Sequence, residues 1–143
     1  MPVIIGETQH HSKLDLSQFL SDRNIILYFY PAYNTPGFSQ EAQEFNLLVN
    51  EFEKVGAQVV GVSTDTKTSH TVFCDKYQLN FPLIADSDKR ICQMMGVLKR
   101  GGNSALRITF VIDKKGIIRK IYENVKPVGH AKEVLEFLRV GLF

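Results

Sequence analysis

Six apolar residues run without a break from Ile25 to Tyr30, two of them β-branched and three aromatic, and the pattern changes at Pro31. A run of this length after the polar Ser21-Asp22-Arg23 turn reads as a strand buried on both faces. Beyond Gly37 the apolar positions recur as Ala42, Phe45, Leu48, Val49 and Phe52, the spacing of a helix over about three turns, and Gly56 stands where a glycine closes a helix. The valine-rich segment Gln58–Ser63 predicts a second buried strand and completes a βαβ unit.

The later pattern is as regular. A helix is predicted over Lys67–Tyr77, holding Val72, Phe73 and Cys74 and capped from Ser63-Thr64-Asp65. Phe81–Asp86 reads as a short strand that Pro82 restricts to a sheet margin or a strand start. Asp88–Met95 follows as a short helix closed by Gly96, and Lys99–Ser104 as a polar, glycine-rich loop expected to be the most mobile segment. Ala105–Ile112 and Gly116–Tyr122 are two strands joined by Asp-Lys-Lys-Gly, a hairpin signal. Gly129–Val140 is an amphipathic helix with Val134, Leu135 and Leu138 on one face. Before the central strand, Leu14–Leu20 is a short amphipathic segment, and the first dozen residues carry little pattern. The order β-α-β-α-β-α-β-β-α predicts an α/β fold, a mixed sheet with helices on both faces. A chain of 143 residues fits one such domain.

Composition narrows the function classes. The 17 basic and 15 acidic residues leave a formal charge of +2, with no long basic run to favour nucleic acid or a membrane surface. No apolar stretch approaches the ~20 residues that span a bilayer. The start, MPVIIGETQHHSK, lacks the regions of a signal peptide, so a cytoplasmic protein is expected. Cys74 and Cys92 are too few for a disulfide framework or a zinc site and read as free thiols. The adjacent His10 and His11 point to different sides of any regular element and have no third ligand close in sequence, so no metal site is expected. Nothing calls for a cofactor.

The candidate chemistry lies where the central strand empties through a Pro/Asn/Thr/Pro/Gly turn into a helix, which gathers backbone N–H groups and a positive dipole end. Pro31, Thr35, Pro36 and Gly37 form P-x-x-x-T-P-G. That motif resembles the active-site signature of AhpC/TSA-type peroxiredoxins, most closely the peroxiredoxin Q, or bacterioferritin comigratory protein, group. R-x-T-F-V-I-D at Arg107–Asp113 and the late V-K-P-V-G-H-A-K-E-V-L segment support it at matching separations. The resemblance runs from about Leu14 to Leu138. It implies a thioredoxin fold, a mainly monomeric state, and thiol-dependent reduction of hydrogen peroxide and organic hydroperoxides with thioredoxin or another thiol as reductant.

It also assigns the site. Thr35 and Arg107 match the threonine and arginine of the family's pocket, where a peroxide or small anion sits. Thr35 has a plainer reading, a threonine that ends a turn through its own backbone contacts. Arg107 is harder to explain by packing, because an unpaired guanidinium inside an apolar strand costs several kcal/mol, so an anion or solvent should meet it. The family's peroxide-attacking cysteine follows T-P-G, and here that residue is Phe38. Phenylalanine forms no thiolate and no sulfenic acid. Ser39 follows but has no evident base.

One branch of the family carries its resolving cysteine five residues after the attacking one, where this chain has Gln43. Another carries it on the next helix, and Cys74, 36 positions after Phe38 and just ahead of D-K-Y-Q-L-N-F-P-L, resembles that residue. A cysteine simply packed on a helix is the alternative. Cys92 matches no family position. Two functions therefore compete: a peroxiredoxin fold without peroxidase chemistry, and an antioxidant peroxidase that uses Cys74 or Cys92 with an external thiol.

Overall fold

The Ile25–Tyr30 run becomes the middle of a seven-stranded sheet in the computed structural model, which describes residues 3–9, 12–31 and 38–141. The strands are β1 (Ile5–Thr8), β2 (Lys13–Asp15), β3 (Asn24–Phe29), β4 (Ala57–Ser63), β5 (Leu83–Ala85), β6 (Ile108–Ile112) and β7 (Ile118–Tyr122), in the spatial order β2-β1-β5-β4-β3-β6-β7. β3, β4 and β5 run parallel, while β6 lies antiparallel to β3, β7 to β6, and β1 to both β5 and β2. The helices are α1 (Phe38–Leu47), α2 (Val49–Lys54), α3 (Lys67–Tyr77), α4 (Arg90–Met94) and α5 (His130–Val140). The mixed sheet with helices on both faces is the predicted α/β architecture.

Strand periodicity explains the unbroken apolar run. Ile26, Tyr28 and Tyr30 enter one core with Phe45, Phe52, Cys74, Val134 and Leu135, drawn from α1, α2, α3 and α5. Ile25, Leu27 and Phe29 enter the opposite core with Leu14, Leu16, Ile91, Cys92 and Val97. Neither face of β3 meets water, and beyond Asn24 at its start the strand is apolar or aromatic throughout. Each such side chain contributes about 1.5–3 kcal/mol by burial. Gly61, beside Tyr28 in the register, is required by the same packing. A Cβ there would stand 2.9 Å from Tyr28 Cζ and 2.6 Å from Leu83 Cδ2.

Several expectations change in detail. The single helix expected after Gly37 is two, because Leu48 leaves helical geometry (φ −100°, ψ 6°) and its N–H bonds the carbonyl three residues back, at Phe45. Gly56, at φ +73°, still closes α2. Leu14–Leu20 is not one amphipathic segment but β2 followed by a 3-10 turn over Leu16–Phe19 that Asp15 caps. The β1–β2 hairpin had no visible pattern, since its strands are only four and three residues long.

The α3 cap is Thr66, whose hydroxyl accepts from Ser69 N–H, and not the Ser63-Thr64-Asp65 segment. Pro82 immediately precedes β5, which is flanked by β4 and β1, so the strand start holds and the sheet margin does not. β6 starts at Ile108 rather than Ala105, because Ala105 bridges Leu98 and Leu106 N–H bonds Val97 before the chain reaches β3. Arg107 therefore stands just ahead of the strand. The Lys99–Ser104 loop is tethered, its Asn103 accepting bonds from Thr64 Oγ1 and Lys89 Nζ. His10 and His11 lie outside the described residues.

Candidate active site

β3 delivers Tyr30 and then Pro31, both buried, to the carboxyl ends of the parallel strands, where open α/β sheets place their sites. Thr35 lies outside the described residues, as does the side chain of Phe38, whose backbone opens α1. One turn further, Glu41 is fully buried on the same helix face as Ala42 and Phe45. It meets Arg107, whose Nη1 donates to Glu41 Oε1 over 2.8 Å. The guanidinium is 13 % exposed and the carboxylate not at all. The anion that Arg107 required is thus a carboxylate of this chain.

The pair is incompletely satisfied. Glu41 Oε2 has no hydrogen-bond partner among the described residues. Burial pushes the Glu41 carboxyl up to about 7, against the pull of the adjacent Arg107.

A second polar cluster sits at the ends of β3 and β4. Tyr30 OH and Ser63 Oγ lie 2.9 and 2.8 Å from His70 Nε2, and Ser63 Oγ donates to Asp65 Oδ2 over 2.9 Å. Burial holds His70 down to about 4, so the ring is neutral, and its Nδ1 has no partner among the described residues. Serine, histidine and aspartate here are no hydrolytic triad. The carboxylate bonds the serine instead of Nδ1, and Ser63 is wholly buried, with no access for a substrate.

Aromatic rings extend from His70 to α1 and α5. His70 packs against Tyr30 (centroids 6.0 Å), Tyr30 against Tyr28 (5.5 Å), Tyr28 on Phe45 (4.7 Å) and Phe45 against His130 (5.8 Å). His130 ties the late motif to the arginine motif, with Nε2 2.7 Å from Thr109 Oγ1 and Nδ1 3.2 Å from Glu133 Oε1. Gly129 N–H donates to Glu44 Oε1 of α1. R-x-T-F and V-K-P-V-G-H, far apart in sequence, therefore brace α1 together.

The cysteines stand apart from this region. Cys74 is buried in α3, and burial, helped by Asp75, pushes its thiol up to about 12. Cys92 is fully buried in the opposite core, with its thiol raised by burial and by Asp86. The sheet separates them, so they do not pair. Among the described residues no three His, Cys, Asp or Glu side chains form a metal-holding group. No helix among them is long and apolar enough to cross a membrane.

The sequence matches the AhpC/TSA family over residues 1–121. The chain belongs to the peroxiredoxin family. A peroxiredoxin Bcp of Xanthomonas campestris is 39% identical over 121 residues, covering 80% of this chain and 76% of that protein. A chloroplastic peroxiredoxin Q of Populus jackii is 39% identical over 140 residues, 96% of this chain and 65% of that one. Among solved structures, peroxidoxin BcpB of Mycobacterium tuberculosis superposes with a TM-score of 0.92 at 31% identity, over 100% of this chain and 96% of its own. These likenesses establish a thioredoxin-like peroxiredoxin of the Bcp or peroxiredoxin Q type. Xanthomonas campestris peroxiredoxin Q has been solved with either of two cysteines changed to serine, 36 positions apart.

Sequence reasoning found Pro31 and Arg107 but missed Glu41 and His70. Both left a signal. Glu41 falls four residues before Phe45 on the apolar stripe of α1, and His70 four before the buried Cys74 in α3, so each is a polar residue on an inward face.

Proposed function

We propose that this peroxiredoxin fold has lost the family's thiol peroxidase chemistry, because Phe38 occupies the position of the peroxide-attacking cysteine. The observation that carries the reading is the phenylalanine directly after T-P-G at the start of α1. The 36 positions from Phe38 to Cys74 equal the spacing of the two cysteines replaced in the Xanthomonas campestris peroxiredoxin Q, which supports reading Cys74 as a resolving cysteine without its partner. The protein then acts by binding. The pocket that the family signature assigns to Thr35 and Arg107 takes a peroxide or small anion only in competition with Glu41.

The competing reading, peroxidase activity through Cys74 or Cys92 with thioredoxin or another thiol, has the environment of both sulfurs against it. Attack needs a thiolate, and both thiols are buried and held protonated. The test is hydroperoxide consumption with a thiol reductant, comparing the native chain with Phe38→Cys. The native chain should show background rates and Phe38→Cys a partial recovery, because Arg107 remains but is engaged by Glu41. Hydroperoxide turnover by the native chain that is abolished in Cys74→Ser would overturn the reading, and equal rates for the native chain and Phe38→Cys would refute the partial recovery.

A further inference from the structure

Two buried polar atoms are left over where α1 meets the central strand. The Tyr28 hydroxyl and Glu41 Oε2 are both fully enclosed, and neither has a hydrogen-bond partner among the described residues. They belong to one neighbourhood. The Tyr28 ring stacks on Phe45 at 4.7 Å, and Glu41 stands one turn before Phe45 on the same face of α1. Glu41 and Arg107 both act electrostatically on the Tyr28 hydroxyl. With the Glu41–Arg107 pair formed, that hydroxyl serves neither of them. Arg107 spends one donor, Nη1, on Glu41, and its other guanidinium donors have no partner among the described residues. The guanidinium therefore keeps both reach to solvent and unused donors for an incoming anion.

We propose, resting on the anion-binding function above, that a small anion reaching Arg107 takes up a proton from solvent, held on Glu41 and directed to the Tyr28 hydroxyl. Charge counting carries this. An anion at Arg107 leaves two negative groups on one enclosed guanidinium, and like charges that close do not both stay ionised. Leaving Glu41 ionised without its partner is strongly destabilising as well. One O–H bond on Glu41 removes the second charge, and the protonated carboxyl becomes a donor for which the Tyr28 oxygen is an unused acceptor. Burial has already pushed that carboxyl up to about 7, and Glu44 on the next turn adds to the rise. The other groups around it do not compete for the proton near neutrality. Burial raises Tyr28 and Tyr30 on β3 well above their ordinary range, and raises Cys74 on α3 and Tyr122 on β7 to about 12. Burial lowers His130 on α5.

Nitrate, which keeps a single charge throughout, is the probe. Its affinity is read from the Arg107 guanidinium NMR shifts at about pH 6, 7 and 8.5 and constant ionic strength, while the carboxyl-carbon shift of Glu41 reports its proton. Above the Glu41 midpoint at about 7, affinity should fall by up to about tenfold per pH unit, one proton per nitrate, and below it affinity should level off. Saturating nitrate should move the Glu41 carboxyl to its protonated position. Glu41→Gln should bind with no pH dependence, and at about pH 8.5 roughly tenfold more tightly than the native chain. Tyr28→Phe keeps the ring and should weaken nitrate about fivefold at low pH. Equal native affinity at both ends of the pH range, a Glu41 carboxyl unmoved at saturation, or tighter binding by Tyr28→Phe would overturn the proton coupling and leave the anion pocket standing. No shift at Arg107 in either the native chain or Glu41→Gln at tenths-molar nitrate would instead overturn the anion-binding function, and the coupling with it.

Discussion

Arg107 and His70 are both basic groups enclosed by the fold, yet one is hydrogen-bonded to a carboxylate and the other to hydroxyls, with the Asp65 carboxylate standing 3.8 Å from its Nε2. Around Arg107 the charge is kept, at the cost of a buried glutamate with an unpartnered oxygen. Around His70 the charge is given up, and the neutral ring rests on Tyr30 and Ser63. Charge is retained next to the start of α1, where the family signature lies, and removed where the parallel strands only need to be tied together. The difference separates a buried ion pair from a neutral brace.

The largest consequence concerns the ion pair. Arg107→Met leaves Glu41 buried without its partner and should cost about 3–5 kcal/mol. Arg107→Met combined with Glu41→Leu should recover most of that loss, because it removes both charges. Urea midpoints check this, and a double variant no more stable than the single one would show that the two residues do not act as a unit.

Proton linkage separates the clusters next. Glu41 folds with its carboxyl at about 7, above the ~4.3 of an unfolded glutamate. Its contribution is full below about pH 4.3 and is lost as pH rises towards 7. His70 folds at about 4, below the ~6.5 of an unfolded histidine, so its contribution is full above pH 6.5 and is lost as pH falls towards 4. His130, also lowered by burial, acts in the His70 direction. Between pH 4.5 and 6.5 the glutamate and histidine slopes oppose each other. Glu41→Gln should make stability rise with pH more steeply by up to one proton, about 1.4 kcal/mol per pH unit, and His70→Gln should shift the slope the other way. Unfolding free energies at pH 4.5, 5.5 and 6.5 decide it, and an unchanged slope in Glu41→Gln would place that carboxyl in its ordinary range.

The smallest effect tests the brace. Tyr30→Phe removes one of the two hydroxyls at His70 Nε2 and should cost about 1 kcal/mol, because Ser63 still serves that nitrogen. A loss as large as that of Arg107→Met would erase the distinction between the clusters.

Much of the fold was legible in the sequence because the elements repeat their periods clearly. Lys67–Tyr77 is a helix with those bounds, and the Asp-Lys-Lys-Gly hairpin joins β6 to β7. The break at Leu48 was not legible, since the apolar spacing continues through it. β1 was not legible either, because four residues are too few to display alternation. At the site, an arginine among apolar residues announced that an anion must meet it but not which one. The answer lay 66 positions away, in a glutamate whose inward placement depends on how α1 packs. Reading the acid on the apolar stripe of α1 together with the arginine would have joined them.

The central claim is that no thiol in this chain is poised to attack peroxide. Its most direct test is the rate at which the native protein, without added reductant, consumes a stoichiometric hydroperoxide, measured beside Cys74→Ser. A rate no greater than that of an ordinary buried thiol, and unchanged in Cys74→Ser, is the predicted result. Fast consumption by the native chain that disappears in Cys74→Ser would contradict the account.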